Sequence, residues 1–259
     1  MRILVTNDDG IGSPGLHFLA AMAAGAGHEV IVAAPAKEAS GMSAALTAVD
    51  RDGHIAMQEV TVPALPGVTC YAVSASPAFI VLIATRGAFG APPEVVLSGI
   101  NRGPNTGAAV LHSGTVGAAF TAVANGCRAM AVSLDVAFRG TLEVAHWATA
   151  AELAGVLMPL LTGPFVLNVN VPNLESGDVR GIRRAHLAEF GMVQMSLLEQ
   201  GEGYVKMSLE QLEEGAEPGS DDAWLLDGYA AVTAIYPPRQ ALDVPLAGLV
   251  DASGEHIGG

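Results

Sequence analysis

The stretch MRILVTNDDGIGSPG, residues 1–15, decides the fold. A short apolar run at residues 3–5 ends at Asn7 and two adjacent carboxylates, Asp8 and Asp9, and a glycine-punctuated turn follows. This pattern is typical of a buried first strand that carries two charges to its carboxyl end. In an open α/β sheet, ligands bind in the crevice outside those strand ends.

The two neighbouring aspartates require a partner or a structural explanation. Their charges repel each other and lose hydration on burial, so a group that neutralises them is expected, and a divalent cation is the obvious candidate. Asp-Asp-Gly is also ordinary turn chemistry, and for an isolated occurrence that interpretation is the better one. The position of Asp8 and Asp9 directly after an apolar strand favours a ligand site.

The composition excludes several classes of protein. The chain has 259 residues, of which 51% are hydrophobic and 15% charged, so it can bury a large core. A formal net charge of -14 argues against DNA and anionic membranes as partners. Cys70 and Cys127 lie in apolar surroundings and are predicted to be reduced core residues. The absence of a secretory signal pattern and of a spanning apolar run predicts a cytoplasmic protein.

The order of elements predicts an α/β fold. A helix at residues 15–24 and a strand at 29–34 complete an opening βαβ unit, which implies a parallel sheet. Later strands are predicted at residues 94–98, 129–133 and 165–171. Helices are predicted at residues 78–85, 116–124 and 142–161, and weak alternation at 50–75 predicts a meander outside the main sheet. Beyond residue 172 we predict an extended hairpin at 194–209, a short helix capped at Ser220 and a final strand at 228–236.

Three predicted loops bring hard oxygen donors to the same edge of the sheet. Asp8 and Asp9 follow the first strand, Ser40 lies after the strand that Pro35 stops, and Asn101 follows the strand at 94–98. Carboxylate, hydroxyl and amide oxygens suit Mg²⁺, Mn²⁺ or Ca²⁺.

A phosphate site is predicted beside these donors. Ser113, Gly114 and Thr115 open an alanine-rich helix, whose N-terminal amides and dipole favour an anion, and Asn105 is a further neutral donor. An equally good explanation is that Ser113 or Thr115 simply caps the helix. A metal beside a phosphate cradle indicates phosphoryl transfer or hydrolysis.

Five motifs in this order resemble the SurE family of metal-dependent 5'/3'-nucleotidases. They are TNDDG with SPG, AP with a later SG and LT, SGIN with a later G and N, SGTVGAA, and LNVNVP. The resemblance covers residues 1–172 well and the remainder loosely.

The resemblance implies a site, a fold and a substrate class. It places one divalent cation per subunit on Asp8, Asp9, Ser40 and Asn101. The phosphate falls on Asn105, Ser113, Gly114 and Thr115. It implies a Rossmann-like, mostly parallel sheet with helices on both faces over residues 1–175, and a C-terminal β-hairpin arm over 176–259 that is exchanged in a homodimer or homotetramer. The implied substrates are nucleoside monophosphates, with some activity on short polyphosphate.

Four positions depart from the usual family pattern and bear on the substrate. Glu38, Phe79, His112 and Thr121 replace the residues that the family usually carries in those places. Either Asp8 or Asp9 is a candidate general base. His112 is a candidate general acid, because imidazole titrates in the useful range, although a packing or capping role is the better explanation.

Three alternative functions follow from the same residues. The first is a phosphatase for a non-nucleotide phosphomonoester, and the second is a noncatalytic protein that binds nucleotide and metal. The third is a dinucleotide oxidoreductase, which we discount because residues 7–15 lack the G-x-G-x-x-G spacing.

Overall fold

The computed structural model describes residues 1–39, 41–47, 54–137, 144–189, 193–201, 204–211 and 216–240. The chain opens with strand β1 (Arg2–Thr6), helix α1 (Pro14–Gly25) and strand β2 (Glu29–Pro35), and the two strands pair in parallel. Pro14 suits the first turn of α1, because the amide that proline lacks has no partner there. The predicted βαβ opening is confirmed.

The main sheet has nine strands in the described part of the chain. The remaining seven are β3 (Met57–Val60), β4 (Thr69–Val73), β5 (Val95–Arg102), β6 (Arg128–Asp135), β7 (Val166–Pro172), β8 (Ile182–Arg184) and β11 (Ala230–Ile235). Their order across the sheet is β3-β4-β2-β1-β5-β6-β7-β11-β8. The β3–β4 and β7–β11 pairs are antiparallel and the others are parallel.

Helices cover both faces of this sheet. One face carries α1 and α4 (Trp147–Leu157), and its core includes Leu16, Leu19 and Ala150. The other face carries α2 (Pro77–Ala84) and α3 (Gly114–Ala124), and its core includes Ile80 and Ala118. The buried strands are apolar on both sides, as expected for a covered parallel sheet. The predicted α/β fold is confirmed.

Residues 57–73 are part of the main sheet, which corrects the predicted outlying meander. Strand β4 pairs with β2 in parallel and β3 adds to the edge, while residues 50–53 lie outside the described residues. Cys70 is buried in β4, and Cys127 is buried just before β6. Both are free thiols, as predicted.

Strand β5 is longer than predicted. It continues through Gly99 to Arg102, so Asn101 lies in the strand opposite Ser133 and not in a loop. Gly99 has a φ of 138°, and a Cβ there would lie 2.3 Å from the carbonyl oxygen of Val132. The register shifts between Ser98 and Asn101, so the strand absorbs this glycine without ending.

Helix α4 is shorter than the predicted helix at residues 142–161. It begins at Trp147 and gives way to a 3₁₀ turn, Met158–Leu160, which contains Pro159. Proline removes an amide donor, which accounts for the early end. Residues 142 and 143 lie outside the described residues.

The C-terminal part of the chain adds strands to the main sheet and also forms a separate hairpin. Strand β7 is not the last core strand, because β11 and β8 continue the sheet beyond it. Strands β9 (Val193–Gly201) and β10 (Tyr204–Gln211) form a separate two-stranded antiparallel hairpin, as predicted. Helix α5 (Asp221–Leu226) begins as predicted, with the Ser220 side chain accepting from the amide of Ala223.

Candidate active site

Asp8 lies at the carboxyl end of β1, between a helix start and a loop. It is 4% exposed, and the hydroxyl of Thr115 donates to its Oδ1 over 2.6 Å. The backbone amide of Thr115 also donates to this carboxylate. The N-terminus of α3 is therefore directed at Asp8, which favours the charged form of the carboxylate.

Gly114 allows this close approach. A Cβ at position 114 would lie 2.6 Å from Oδ2 of Asp8, so any side chain there would displace the carboxylate. The close approach of Asp8 therefore explains why a glycine stands at position 114, which the predicted phosphate cradle alone did not explain.

The loop after β2 meets Asp8 from the other side. The amide of Ala39 donates to the carbonyl oxygen of Asp8 over 2.7 Å. Ser40, the predicted metal ligand that follows Ala39, lies outside the described residues.

Asp9 is tied to the end of β5. The amide of Arg102 donates to Oδ2 of Asp9 over 3.2 Å, which brings the neighbouring Asn101 to the same edge. The Asn101 Nδ2 group donates to the carbonyl of Gly103 over 2.8 Å, so this bond fixes the orientation of its amide. Asp8, Asp9 and Asn101 therefore lie at the edge of the sheet where β1 and β5 run side by side.

The turn at residues 7–10 is closed by Asn7. Its side chain accepts from the amide of Gly10 and donates to the Gly10 carbonyl, over 3.2 and 3.1 Å. Gly10 has a φ of 95°, a conformation that favours glycine. Because an amide side chain closes the turn, turn chemistry alone does not explain the two carboxylates.

Burial raises the pKa of both aspartates. For Asp8 desolvation is the main cause, and the hydrogen bonds from Thr115 oppose it. For Asp9 desolvation and then the charge of Asp8 raise the pKa to about 6. A cation between the two groups would reverse both shifts, since an opposite charge favours the ionised form.

The predicted phosphate residues occupy three different environments. Ser113 is the N-cap of α3, where its Oγ accepts from the amide of Val116 over 3.0 Å, and Thr115 is fully buried against Asp8. His112 is exposed and precedes the cap directly.

Asn105 belongs to a buried amide network on the neighbouring strands. Its Nδ2 donates to Ser133 Oγ over 2.8 Å, and its carbonyl accepts from the side chains of Asn168 and Asn170. The backbone amide of Asn105 donates to Asn170 Oδ1 over 2.7 Å. Two strands thus hold Asn105 in one position.

The sequence reasoning missed the groups that hold this loop. Asn168 and Asn170 alternate with apolar residues in β7, and two amides at period two in a buried strand were a visible signal. Asp221 gave no such signal. It is fully buried, and its Oδ2 accepts from the amide of Gly107 while its Oδ1 accepts from the amides of Ala188 and Asp222.

The donor set suits a hard cation. In the described part of the chain, no three His, Cys, Asp or Glu side chains are grouped so that they could hold a metal ion. A cation at the edge of β1 would therefore rest on two carboxylates and neutral oxygens, as Mg²⁺, Mn²⁺ and Ca²⁺ accept.

A cleft of about 590 Å³ is lined in part by Ala39, in the loop that contacts Asp8. It lies between the ends of β2 and β4, and its walls include Pro35, Lys37, Glu38, Met42 and Val73. This volume falls within the range of small-molecule sites, and most of the lining is apolar. Among the described residues, no helix has the length and apolar character needed to cross a bilayer.

Fold and site together define a doubly wound α/β protein with an acidic, oxygen-rich site at the strand ends. The family model for Survival protein SurE matches residues 3–194, and the chain belongs to this family. The recognised family and its fold, predicted from the five motifs, are thereby confirmed.

Relatives and a solved structure extend the similarity over nearly the whole chain. The 5'-nucleotidase SurE of Synechococcus sp. (strain JA-3-3Ab) is 33% identical over 245 residues, covering 93% of each chain. The 5'-nucleotidase SurE of Xylella fastidiosa (strain 9a5c) is 33% identical over 244 residues, covering 91% of this chain and 90% of its own. The SurE crystal structure from Aquifex aeolicus has a TM-score of 0.75 at 26% identity, covering 94% of this chain and 96% of the other.

Proposed function

We propose that this protein hydrolyses nucleoside 5'- or 3'-monophosphates to nucleoside and phosphate, using one divalent cation per subunit. Family membership and the 5'-nucleotidase relatives support the class of phosphomonoesterase. The observation that carries the proposal is the convergence of three segments on Asp8 and Asp9, through the contacts of Ala39, Arg102 and Thr115.

The residues present fit a divalent cation. Asp8, Asp9 and Asn101 provide hard oxygens at one edge, and we assign Ser40 as the fourth ligand on the basis of the resemblance. The raised pKa values of the two aspartates reflect a cost that a cation removes. When bound, a divalent cation polarises a phosphoryl oxygen and makes a water molecule more acidic.

The chain's own residues orient the reacting groups. Thr115 holds Asp8 through its hydroxyl and its amide, which fixes the direction of the carboxylate. Either Asp8 or Asp9 accepts the proton of the attacking water. We retain exposed His112 as the candidate donor to the leaving oxygen.

We assign the phosphate to the start of α3 and to Asn105. The Ser113 oxygen already accepts from Val116, so its hydroxyl hydrogen is left to donate to a phosphoryl oxygen. Gly114 offers a backbone amide near the positive end of the helix dipole. Because the one hydroxyl hydrogen of Thr115 is donated to Asp8, we assign its side chain to the orientation of Asp8 and the phosphate to Ser113, Gly114 and Asn105.

The cleft beside the site suits the nucleoside. Its walls are largely apolar, and its 590 Å³ leaves room for a base and a sugar. Half-buried Phe79 lies in the first turn of α2, three residues after Ser76, which lines this cleft.

We further infer that residues 176–259 serve assembly, as a homodimer or homotetramer. The β9–β10 hairpin forms its own sheet, and a two-stranded sheet has marginal stability alone. Pairing with a second copy would stabilise it. The division at residue 175 and the cytoplasmic location both stay predictions.

A panel of phosphomonoesters tests the proposed function. Release of inorganic phosphate is measured from nucleoside monophosphates and sugar phosphates with Mg²⁺ or Mn²⁺, each with and without a chelator. We expect cation-dependent turnover that is fastest on a nucleotide. Fast turnover of a sugar phosphate alone would favour the non-nucleotide phosphatase, and tight nucleotide binding without turnover would favour the noncatalytic binder.

A further inference from the structure

Glu38 lies in the loop that presses against the aspartate turn. Its own amide nitrogen lies 3.4 Å from the place that a Cβ at Gly10 would occupy. The next residue, Ala39, donates its amide to the carbonyl of Asp8. Backbone contacts therefore hold the loop against the turn, and they fix the position of the Glu38 backbone.

The Glu38 side chain is exposed and lines the cleft beside the site. The loop that carries it contacts the Asp8 turn, because Ala39 donates to the Asp8 carbonyl and also lines this cleft. A substrate bound between Asp8 and the cleft therefore lies beside Glu38.

We propose that Glu38 is a specificity-determining residue that selects against substrates carrying a second phosphate. This inference rests on the proposed function. A nucleoside monophosphate places an uncharged nucleoside in the cleft, whereas a nucleoside bisphosphate places further negative charge beside the Glu38 carboxylate. Like charges at such a distance repel each other.

A neighbouring residue of opposite charge provides an internal comparison for this selection. Lys37, which is exposed and lines the same cleft, has the opposite sign. Glu38 and Lys37 are therefore expected to shift substrate preference in opposite directions.

The test compares adenosine 5'-monophosphate with adenosine 3',5'-bisphosphate, which differ only in the second phosphate. Glu38→Gln should raise the ratio of kcat/KM for the bisphosphate over the monophosphate by about tenfold at low salt. This gain should shrink in high salt as the charges are screened. Glu38→Lys should raise the ratio further, and Lys37→Gln should lower it.

Glu29→Gln is the matched control, because it removes the same charge at the other end of β2. Glu29 is exposed and pairs with Arg2 over 3.0 Å at the start of this seven-residue strand. At roughly 3.3 Å per residue, it lies about 20 Å from the strand's carboxyl end. The control should leave the ratio unchanged.

Two outcomes would overturn the inference while the proposed function stands. They are an unchanged ratio in Glu38→Gln, or an equal change in Glu29→Gln. Absence of cation-dependent hydrolysis by the wild-type protein would overturn the proposed function itself. Far-ultraviolet circular dichroism of each variant confirms that the fold is retained.

Discussion

The hydroxyl of Thr115 is the side-chain donor that the structure places on Asp8. Both groups are buried, so water does not replace a lost bond readily, and the orientation of Asp8 depends on this contact. A residue expected to bind phosphate is thus also tied to the carboxylate at the centre of the site.

Thr115→Val removes this hydroxyl while keeping the side-chain shape. A hydrogen bond to a charged group contributes about 1.5–3 kcal/mol, so we expect kcat to fall by about 10- to 100-fold. Steady-state phosphate release measures the effect. Thr85→Val is the control, since its hydroxyl donates to the Leu82 carbonyl at the end of α2. Full activity of Thr115→Val would show that Asp8 needs no such support.

At the scale of single residues, the sequence singled out Asp8 and Asp9 but not the contacts around them. Asp8 and Asp9 were visible because charge rarely follows an apolar strand without a reason. The role of Gly114 was hidden, because it depends on a 2.6 Å approach from a residue far away in the chain.

The loop between β5 and α3 is fixed by an element distant in sequence. Asp221, at the start of α5, accepts from the amide of Gly107 over 3.0 Å, and Asn105 lies two residues before that amide. A short helix in the last part of the chain thus holds a loop of the candidate site.

Asp221→Asn exchanges an acceptor for a donor that faces backbone amides. An unmet buried hydrogen bond costs about 1–3 kcal/mol, so the free energy of unfolding should fall by that amount in urea titration. The apparent KM should also rise, because the Asn105 loop loses its support. Asp227→Asn, at the exposed end of the same helix, should change neither quantity. An unaltered unfolding curve for Asp221→Asn would contradict this account.

Element boundaries were predictable where the cause is local. The helix predicted at residues 15–24 begins one residue earlier, at Pro14, and Ser220 caps the short helix as predicted, because proline and hydroxyl caps act within one turn. The length of β5 and the membership of β3 and β4 in the sheet were not predictable. Both depend on neighbouring strands that satisfy the backbone, which a single segment does not encode.

The whole molecule carries a group of buried carboxylates at the strand ends. Desolvation raises the pKa of Asp135 to about 6, and it raises that of Asp222, with the charges of Asp221 and Asp135, also to about 6. Both side chains are 2% exposed. The Oδ1 atom of each has no hydrogen-bond partner among the described residues.

Stability should therefore decrease as the pH rises. The ordinary value is 3.8, so between about pH 4 and 6 the folded protein binds more protons than the unfolded chain. Each of these two groups should cost up to about 3 kcal/mol once ionised. Asp135→Asn should reduce this decrease, as measured by urea unfolding at pH 4.5 and 7.5. An unchanged pH dependence would contradict the burial of a charge at Asp135.

Cation binding at the candidate site should stabilise the folded protein more strongly as the pH rises. Asp8 and Asp9 also have raised pKa values, so protons compete with the cation for these two carboxylates. Mn²⁺ should raise the melting temperature more at pH 7.5 than at pH 5. Differential scanning fluorimetry at the two values provides the measurement, and an equal or larger shift at pH 5 would place the cation elsewhere.

The most direct test of the central claim measures phosphate release from adenosine 5'-monophosphate by the wild-type protein and by Asp8→Asn. Both are assayed in Mn²⁺ and again with excess chelator. We predict turnover that the chelator abolishes in the wild-type protein. In the variant, which should remain folded, turnover should fall by orders of magnitude. Turnover by the wild-type protein that survives the chelator, or an Asp8→Asn variant as active as the wild type, would contradict the account.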